Sequence, residues 1–197
     1  VILPCWKRQE LPPDYLRFCN VPKSKWAVSL DRVPKDTDYR NAVEQYMGKL
    51  KENLEAGCGL LLRGPYGSGK SSLAAIVLRE VAAHGCNPYW LEAFELSGGW
   101  RKQDKRYFDS RKAHLLVVDD LGMEDDRKAG NESFPRLLIR QALRFRLERE
   151  MATIITTNLT LEDLEQVHGD KFIALLNRHM TYVSVEGKDW AKEVAGG

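Results

Sequence analysis

Leu60-Leu61-Leu62-Arg63 runs without a break into Gly64-Pro65-Tyr66-Gly67-Ser68-Gly69-Lys70-Ser71-Ser72, and an alanine-rich helical pattern follows. An apolar strand feeding a glycine-rich loop and then a helix is the setting of a phosphate-binding P-loop. The glycines let backbone N–H groups wrap closely around a phosphate. A helix starting near Lys70 adds its positive end. Lys70 is placed to reach β- and γ-phosphates, and Ser71 to ligate Mg²⁺. The segment Gly64 to Ser72 is therefore expected to hold a nucleoside triphosphate, with ATP and Mg²⁺ as cofactors.

Composition narrows the rest. With 197 residues, 43% of them hydrophobic, the chain has enough for one core and too little for two full domains. A net charge of +2 excludes a uniformly basic nucleic-acid binder, so any such site must be a local patch. Cys5, Cys19, Cys58 and Cys86 are widely spaced and suggest neither a zinc site nor a disulfide framework. Reduced thiols point to the cytoplasm. No stretch approaches the roughly 18 apolar residues of a membrane span, so no membrane role is expected. The chain begins at Val1 rather than Met, and a preceding partner-binding segment is expected.

Five short apolar runs read as strands: Gly59–Arg63, Pro88–Glu92, His114–Asp119, Ala152–Thr157 and Thr181–Val185. Helical patterns alternate with them over Tyr39–Ala56, Lys70–His84, Phe134–Glu150 and Leu161–Arg178. That alternation predicts an α/β fold, a parallel sheet with helices on both faces. Thr160, followed by Glu162 and Asp163, marks a helix start, and Gly85 closes the P-loop helix. Residues 1–38 hold five of the eight prolines and read as an irregular entry segment, with residues 39–197 as a single core.

Beyond the P-loop, Leu115-Leu116-Val117-Val118-Asp119-Asp120 is a buried strand ending in two acids, the Walker B arrangement. Asp119 is expected to hold Mg²⁺, through water or via Ser71, and Asp120 to orient and polarise the attacking water. Thr156-Thr157-Asn158 ends the fourth run. Asn158 is read as a sensor of the γ-phosphate, although Asn and Thr also favour plain helix-entry turns. Arg178, at a helix end before the last strand, is read as an arginine finger for a neighbouring subunit. An arginine settling the helix dipole would look the same in sequence.

The order GPYGSGKSS, LLVVDDLG, TIITTN, LLNR and VSVEGK resembles the AAA+ ATPases of the DnaC/IstB type, over roughly residues 12 to 188. Those are bacterial and phage replicative-helicase loaders and their transposition-helper relatives. The resemblance implies a P-loop NTPase fold (ASCE/AAA+), a three-layer αβα sandwich with a five-stranded parallel sheet. It implies an ATPase that self-associates through shared ATP sites, binds single-stranded DNA and acts on a replicative ring helicase. Leu11-Pro12-Pro13-Asp14-Tyr15 is similar to the family's entry segment, which borders the adenine. Two departures stand out. Asp120 occupies the place where most AAA+ proteins carry Glu, and only 19 residues follow Arg178, none of them arginine. The helical lid with its second sensor arginine is thus expected to be absent or truncated.

Between the second and third strands, residues 100–112 carry six basic residues against two acids, with three aromatics interleaved. Trp100, Arg101, Lys102, Lys105, Arg106 and Tyr107 suit phosphate neutralisation and base stacking. A solvated amphipathic helix is the alternative. Arg136, Arg140 and Arg144 recur every four residues and read as a solvated helix face, with Leu137, Leu138, Leu143 and Leu147 on the buried side. Leu96-Ser97-Gly98-Gly99 mimics the ABC-transporter signature but lies too soon after Lys70 to leave room for that class's helical subdomain. No guanine-reading Asn/Thr-Lys-x-Asp motif is present. Two other readings stay open: a transposition-helper ATPase preferring duplex DNA, and an ATP-switched assembly module with little turnover.

Overall fold

The computed structural model describes residues 6–12, 14–96, 110–122 and 134–187. Five strands form one sheet: β1 (Gly59–Arg63), β2 (Pro88–Glu92), β3 (Leu115–Leu121), β4 (Thr153–Thr157) and β5 (Met180–Ser184). Their order is β2-β3-β4-β1-β5, and every pairing is parallel. Helices α1 (Tyr15–Phe18), α2 (Asp38–Gly48), α3 (Leu50–Glu55), α4 (Lys70–Ala83), α5 (Phe134–Leu147), α6 (Leu161–His168) and α7 (Asp170–His179) complete the described elements.

The strands read as near-continuous apolar runs because both faces are covered. Side chains alternate between the two layers. Leu60, Leu62, Leu115, Val117 and Ile154 join Val43, Leu73, Val77 and Val81 on one side. Leu61, Leu116, Val118 and Ile155 join Ile139, Leu143, Leu147, Phe172 and Leu176 on the other. The result is an αβα sandwich, as the alternation of runs predicts.

Two expected helices are each broken in two. The pattern over Tyr39–Ala56 splits at Lys49, whose backbone (φ −114°, ψ 30°) leaves the helix between α2 and α3. Asn53 Nδ2 donates to Tyr46 O at 3.0 Å and Tyr46 Oη to Cys58 O at 2.8 Å, which fastens the bend. The pattern over Leu161–Arg178 splits at Gly169 (φ 86°, ψ 159°), a backbone state that favours glycine. Apolar spacing does not detect a one-residue corner whose flanking turns keep the same face buried.

The entry segment is more ordered than its prolines suggest. It contains α1 and two 3-10 turns, Lys23–Lys25 and Leu30–Arg32. Cys19 O accepts from Trp90 N at 2.9 Å, and Asn20 Nδ2 donates to Trp90 O at 2.9 Å, so the segment covers the outer edge of β2. Arg40 on α2 donates to Leu30 O and Val33 O at 2.9 and 2.6 Å.

The arginine face of α5 is also corrected. Arg144 is exposed and pairs with Glu148 at 2.6 Å, as a solvated face would. Arg140 instead donates to His168 O at 3.1 Å, closing the C-terminal end of α6. Leu137, expected to be buried, is half-buried.

Candidate functional site

The five strands end on one edge, and a cavity of about 530 Å³ opens there. Its lining comes from three sources: the loop after β1, the ends of β2, β3 and β4, and the entry segment. This is where an open parallel sheet binds its ligand.

The loop after β1 needs its glycines. Gly67 and Gly69 take φ values of 78° and 95°. A Cβ on Gly64 would meet Val185 O at 2.2 Å, because β5 leaves the sheet directly against it. Tyr66 turns 88% of its surface to solvent. Ser68 is 1% exposed, and its Oγ has no hydrogen-bond partner among the described residues while it lines the cavity. Lys70 starts α4, so its N–H lies among the free donors of that helix end. Its Nζ donates to Pro65 O at 2.7 Å. Burial pushes the Lys70 ammonium below its ordinary value, and Asp120 and Asp119 oppose that shift.

The acid pair sits on an irregularity. Val118 pairs with Ile155 and Leu121 with Thr157, so β3 carries one more residue than β4 across this interval. Asp120 takes the left-handed region (φ 56°), which Asp tolerates better than most residues. The bulge leaves Asp120 N–H without a main-chain partner on β4, and Thr156 Oγ1 accepts it at 2.9 Å. The same Thr156 hydroxyl donates to Asp119 Oδ1 at 2.6 Å. Ser71 lines the same cavity as Asp119. Burial raises the Asp119 carboxyl above its ordinary value; the bond from Thr156 and the Ser71 hydroxyl oppose that shift, and Asp120 adds to it.

Nine loop residues were expected to hold the cofactor. Tyr66, Gly67, Ser68, Gly69, Lys70, Ser71 and Ser72 line the cavity, and Gly64 and Pro65 form its approach from β1. Asp119, Asp120 and Asn158 line it too. Asn158 Oδ1 is buried and has no hydrogen-bond partner among the described residues. Arg178 does not line it. It is exposed on the last turn of α7. Trp100, Arg101, Lys102, Lys105, Arg106 and Tyr107 lie outside the described residues.

Sequence reading missed two lining residues, Glu92 and Lys25, and the buried residue that ties the acids together. Thr156 is the link between the two acids. Glu92 ends β2 in register with Asp119 and brings a third carboxylate. Burial raises its pKa, helped by Glu95, Asp119 and Asp120. Lys25 arrives from the entry segment. A charged residue closing an apolar strand was a usable signal for Glu92; Lys25 had none.

The residues fit a Mg²⁺-nucleotide. The half-buried Ser71 hydroxyl and the buried Asp119 carboxylate, both lining the cavity, are hard oxygen donors beside a helix end that favours anions. Strand order, loop and acid pair together define a P-loop NTPase of the AAA+ class. The chain belongs to the family of IstB-like ATP binding proteins, whose profile matches residues 51–193. It is similar in fold to the DnaC helicase loader (23% identity, TM-score 0.70, covering 84% of this chain and 100% of that one). It is also similar to DnaI (20%, 0.68, 85% and 93%). A putative primosome component from Streptococcus pyogenes matches as well (21%, 0.66, 85% and 91%). Comparison with curated protein sequences finds no match. No described helix is long and apolar enough to cross a membrane.

Proposed function

We propose that this protein is a Mg²⁺-dependent ATPase of the helicase-loader type. It assembles with ATP at subunit boundaries, grips single-stranded DNA and acts on a replicative ring helicase. The observation that carries the reading is the joining of Asp119 and Asp120 through Thr156 on the wall of the cavity that Lys70 and Ser71 of the P-loop also line. In this reading Gly64 to Ser72 hold the phosphates. Ser71 and Asp119 would hold Mg²⁺, which would supply charge neutralisation to the bound phosphates. Asp120 orients the attacking water, Asn158 faces the γ-phosphate, and Arg178 serves the next subunit. Residues 1–38 form the strap over the nucleotide and residues 39–197 the ATPase core.

The single-strand reading rests on the charge and aromatic pattern of residues 100–112. Replacing Arg101, Lys102, Lys105 and Arg106 by Ala tests it. If all four touch phosphates, the salt slope of single-strand binding falls by about 0.7 per contact. An unchanged slope returns the segment to a solvated face.

The match to the IstB-like profile favours a second reading, a transposition helper that binds duplex DNA. Comparing single-stranded and duplex DNA affinities at one salt concentration separates the two. An assembly switch with little turnover would form ATP-dependent oligomers yet hydrolyse almost nothing per subunit. Co-purification from the native host identifies the partner.

A further inference from the structure

Lys25 ends the 3-10 turn Lys23–Lys25, in the middle of the entry segment. The backbone on both sides of it is tied down. Its N–H donates to Pro22 O at 2.8 Å, and Trp26 Nε1 donates to Val21 O at 2.8 Å. Downstream, Arg79 on α4 donates to the carbonyls of Trp26 and, at 2.8 Å, Val28. Because α4 begins at Lys70, one rigid helix sets the positions of both lysines. Lys25 lines the cavity together with Lys70, Ser71, Asp119 and Asp120.

Charge at that end of the cavity is unbalanced without it. Asp119, Asp120 and Glu92 set three carboxylates in the cavity against Lys70 and Arg32. A triphosphate adds more negative charge to a partly desolvated space, where like charges repel strongly. The strand ends carrying Asp119 and Asp120 mark the metal and γ-phosphate end of a P-loop site. Lys25 reaches the cavity from the entry segment, an element separate from the loop.

We propose that Lys25 is a second phosphate-binding lysine, carried by the entry segment to the γ-phosphate of a nucleoside triphosphate seated on the P-loop. This rests on the ATP-binding reading above and adds a consequence to it. With a triphosphate, Lys25 and Lys70 share an anion. With a diphosphate, Lys25 keeps only the cavity's carboxylates, so the hold on the entry segment weakens. The segment that covers the edge of β2 then reports which nucleotide is bound.

The test is calorimetric titration with the β,γ-methylene analogue of ATP and with ADP, both in Mg²⁺. Wild type, Lys25→Ala and Lys25→Arg are compared. Loss of a charge-assisted contact to the γ-phosphate should weaken the analogue about tenfold in Lys25→Ala and leave ADP within about twofold. Lys25→Arg should keep most of the analogue's affinity. Thermal unfolding of each ligand-free variant at the wild-type temperature separates a binding defect from a folding defect. Equal weakening of both nucleotides, or of neither, overturns the assignment. A wild type that binds neither nucleotide overturns the ATP-binding reading itself, a different result from either.

Discussion

Thr156 Oγ1 donates to Asp119 Oδ1 at 2.6 Å while accepting the N–H of Asp120 at 2.9 Å. One hydroxyl on β4 thus fixes both acids of β3. It does so at the point where the ladder between the strands is out of step. Thr156 is fully buried, so water cannot take its place.

Thr156→Val keeps the shape and removes the hydroxyl. It should cost about 1–3 kcal/mol, because a buried N–H and a buried carboxylate lose a partner together. The Mg²⁺ requirement of ATP hydrolysis should rise as Asp119 becomes less firmly held. Thr156→Ser should stay near wild type in both respects. Urea unfolding and Mg²⁺ titration measure the two effects. A Val variant of unchanged stability would mean that the bulge holds the acids unaided.

Lys70→Ala and Asp120→Asn should fail differently. The first removes the cation nearest the β- and γ-phosphates and should cost at least ~2 kcal/mol of nucleotide binding. The second keeps shape and hydrogen bonding but removes the charge that polarises water, so ATP stays bound and turnover stops. Direct binding and hydrolysis assays on the two variants decide this. Equal loss of binding in both would erase the division of roles.

Asp119 and Glu92 give the stability a pH dependence of known sign. Burial raises both carboxyls above their unfolded values. A raised acid means the native state holds protons more tightly than the unfolded state does. In the window between the ordinary carboxylate values and the raised ones, these groups make the nucleotide-free protein less stable as pH rises. The deficit persists above that window. Mg²⁺ would bind ionised Asp119, so stabilisation by Mg²⁺-ATP should grow as pH rises from the ordinary carboxylate range through the raised value of Asp119, as proton competition fades. Melting temperatures with and without Mg²⁺-ATP across that range measure it, and Asp119→Asn should flatten the gain. A gain that grows toward acid would contradict the assignment.

The parts legible in the sequence obey local rules. Leu60 to Arg63 and Leu115 to Val118 read as buried strands because a sheet covered on both faces demands uninterrupted apolar residues. The P-loop read correctly because its glycines answer to backbone geometry. Arg146 did not. It sits among the arginines of α5, yet it is 1% exposed. Its guanidinium donates to Thr153 Oγ1 and to the carbonyls of Ser110, Ala113 and Ala152. Those groups come together only when the starts of β3 and β4 meet α5, so no window along the chain contains the reason for its burial. Thr156, Glu92 and Lys25 are of the same kind. Each acts through a partner on another strand or segment, and spacing within one run does not encode that partner.

Arg178 makes the sharpest prediction. It is exposed at the C-terminal end of α7, away from the cavity formed by its own chain. A guanidinium in that position can serve a nucleotide only on another subunit, where it would neutralise charge developing on the γ-phosphate. Fingers of this kind contribute ~10³-fold or more. Arg178→Ala should bind ATP almost normally and hydrolyse it poorly. Specific activity of the wild type should rise with protein concentration, since the complete site forms only on association. The decisive experiment mixes Arg178→Ala with Lys70→Ala, each inactive alone. A shared interface can pair the intact P-loop of the first with the intact arginine of the second, so ATPase activity should partly return. No recovery, with mixed assembly shown by cross-linking, would leave Arg178 as a cation settling the end of its own helix.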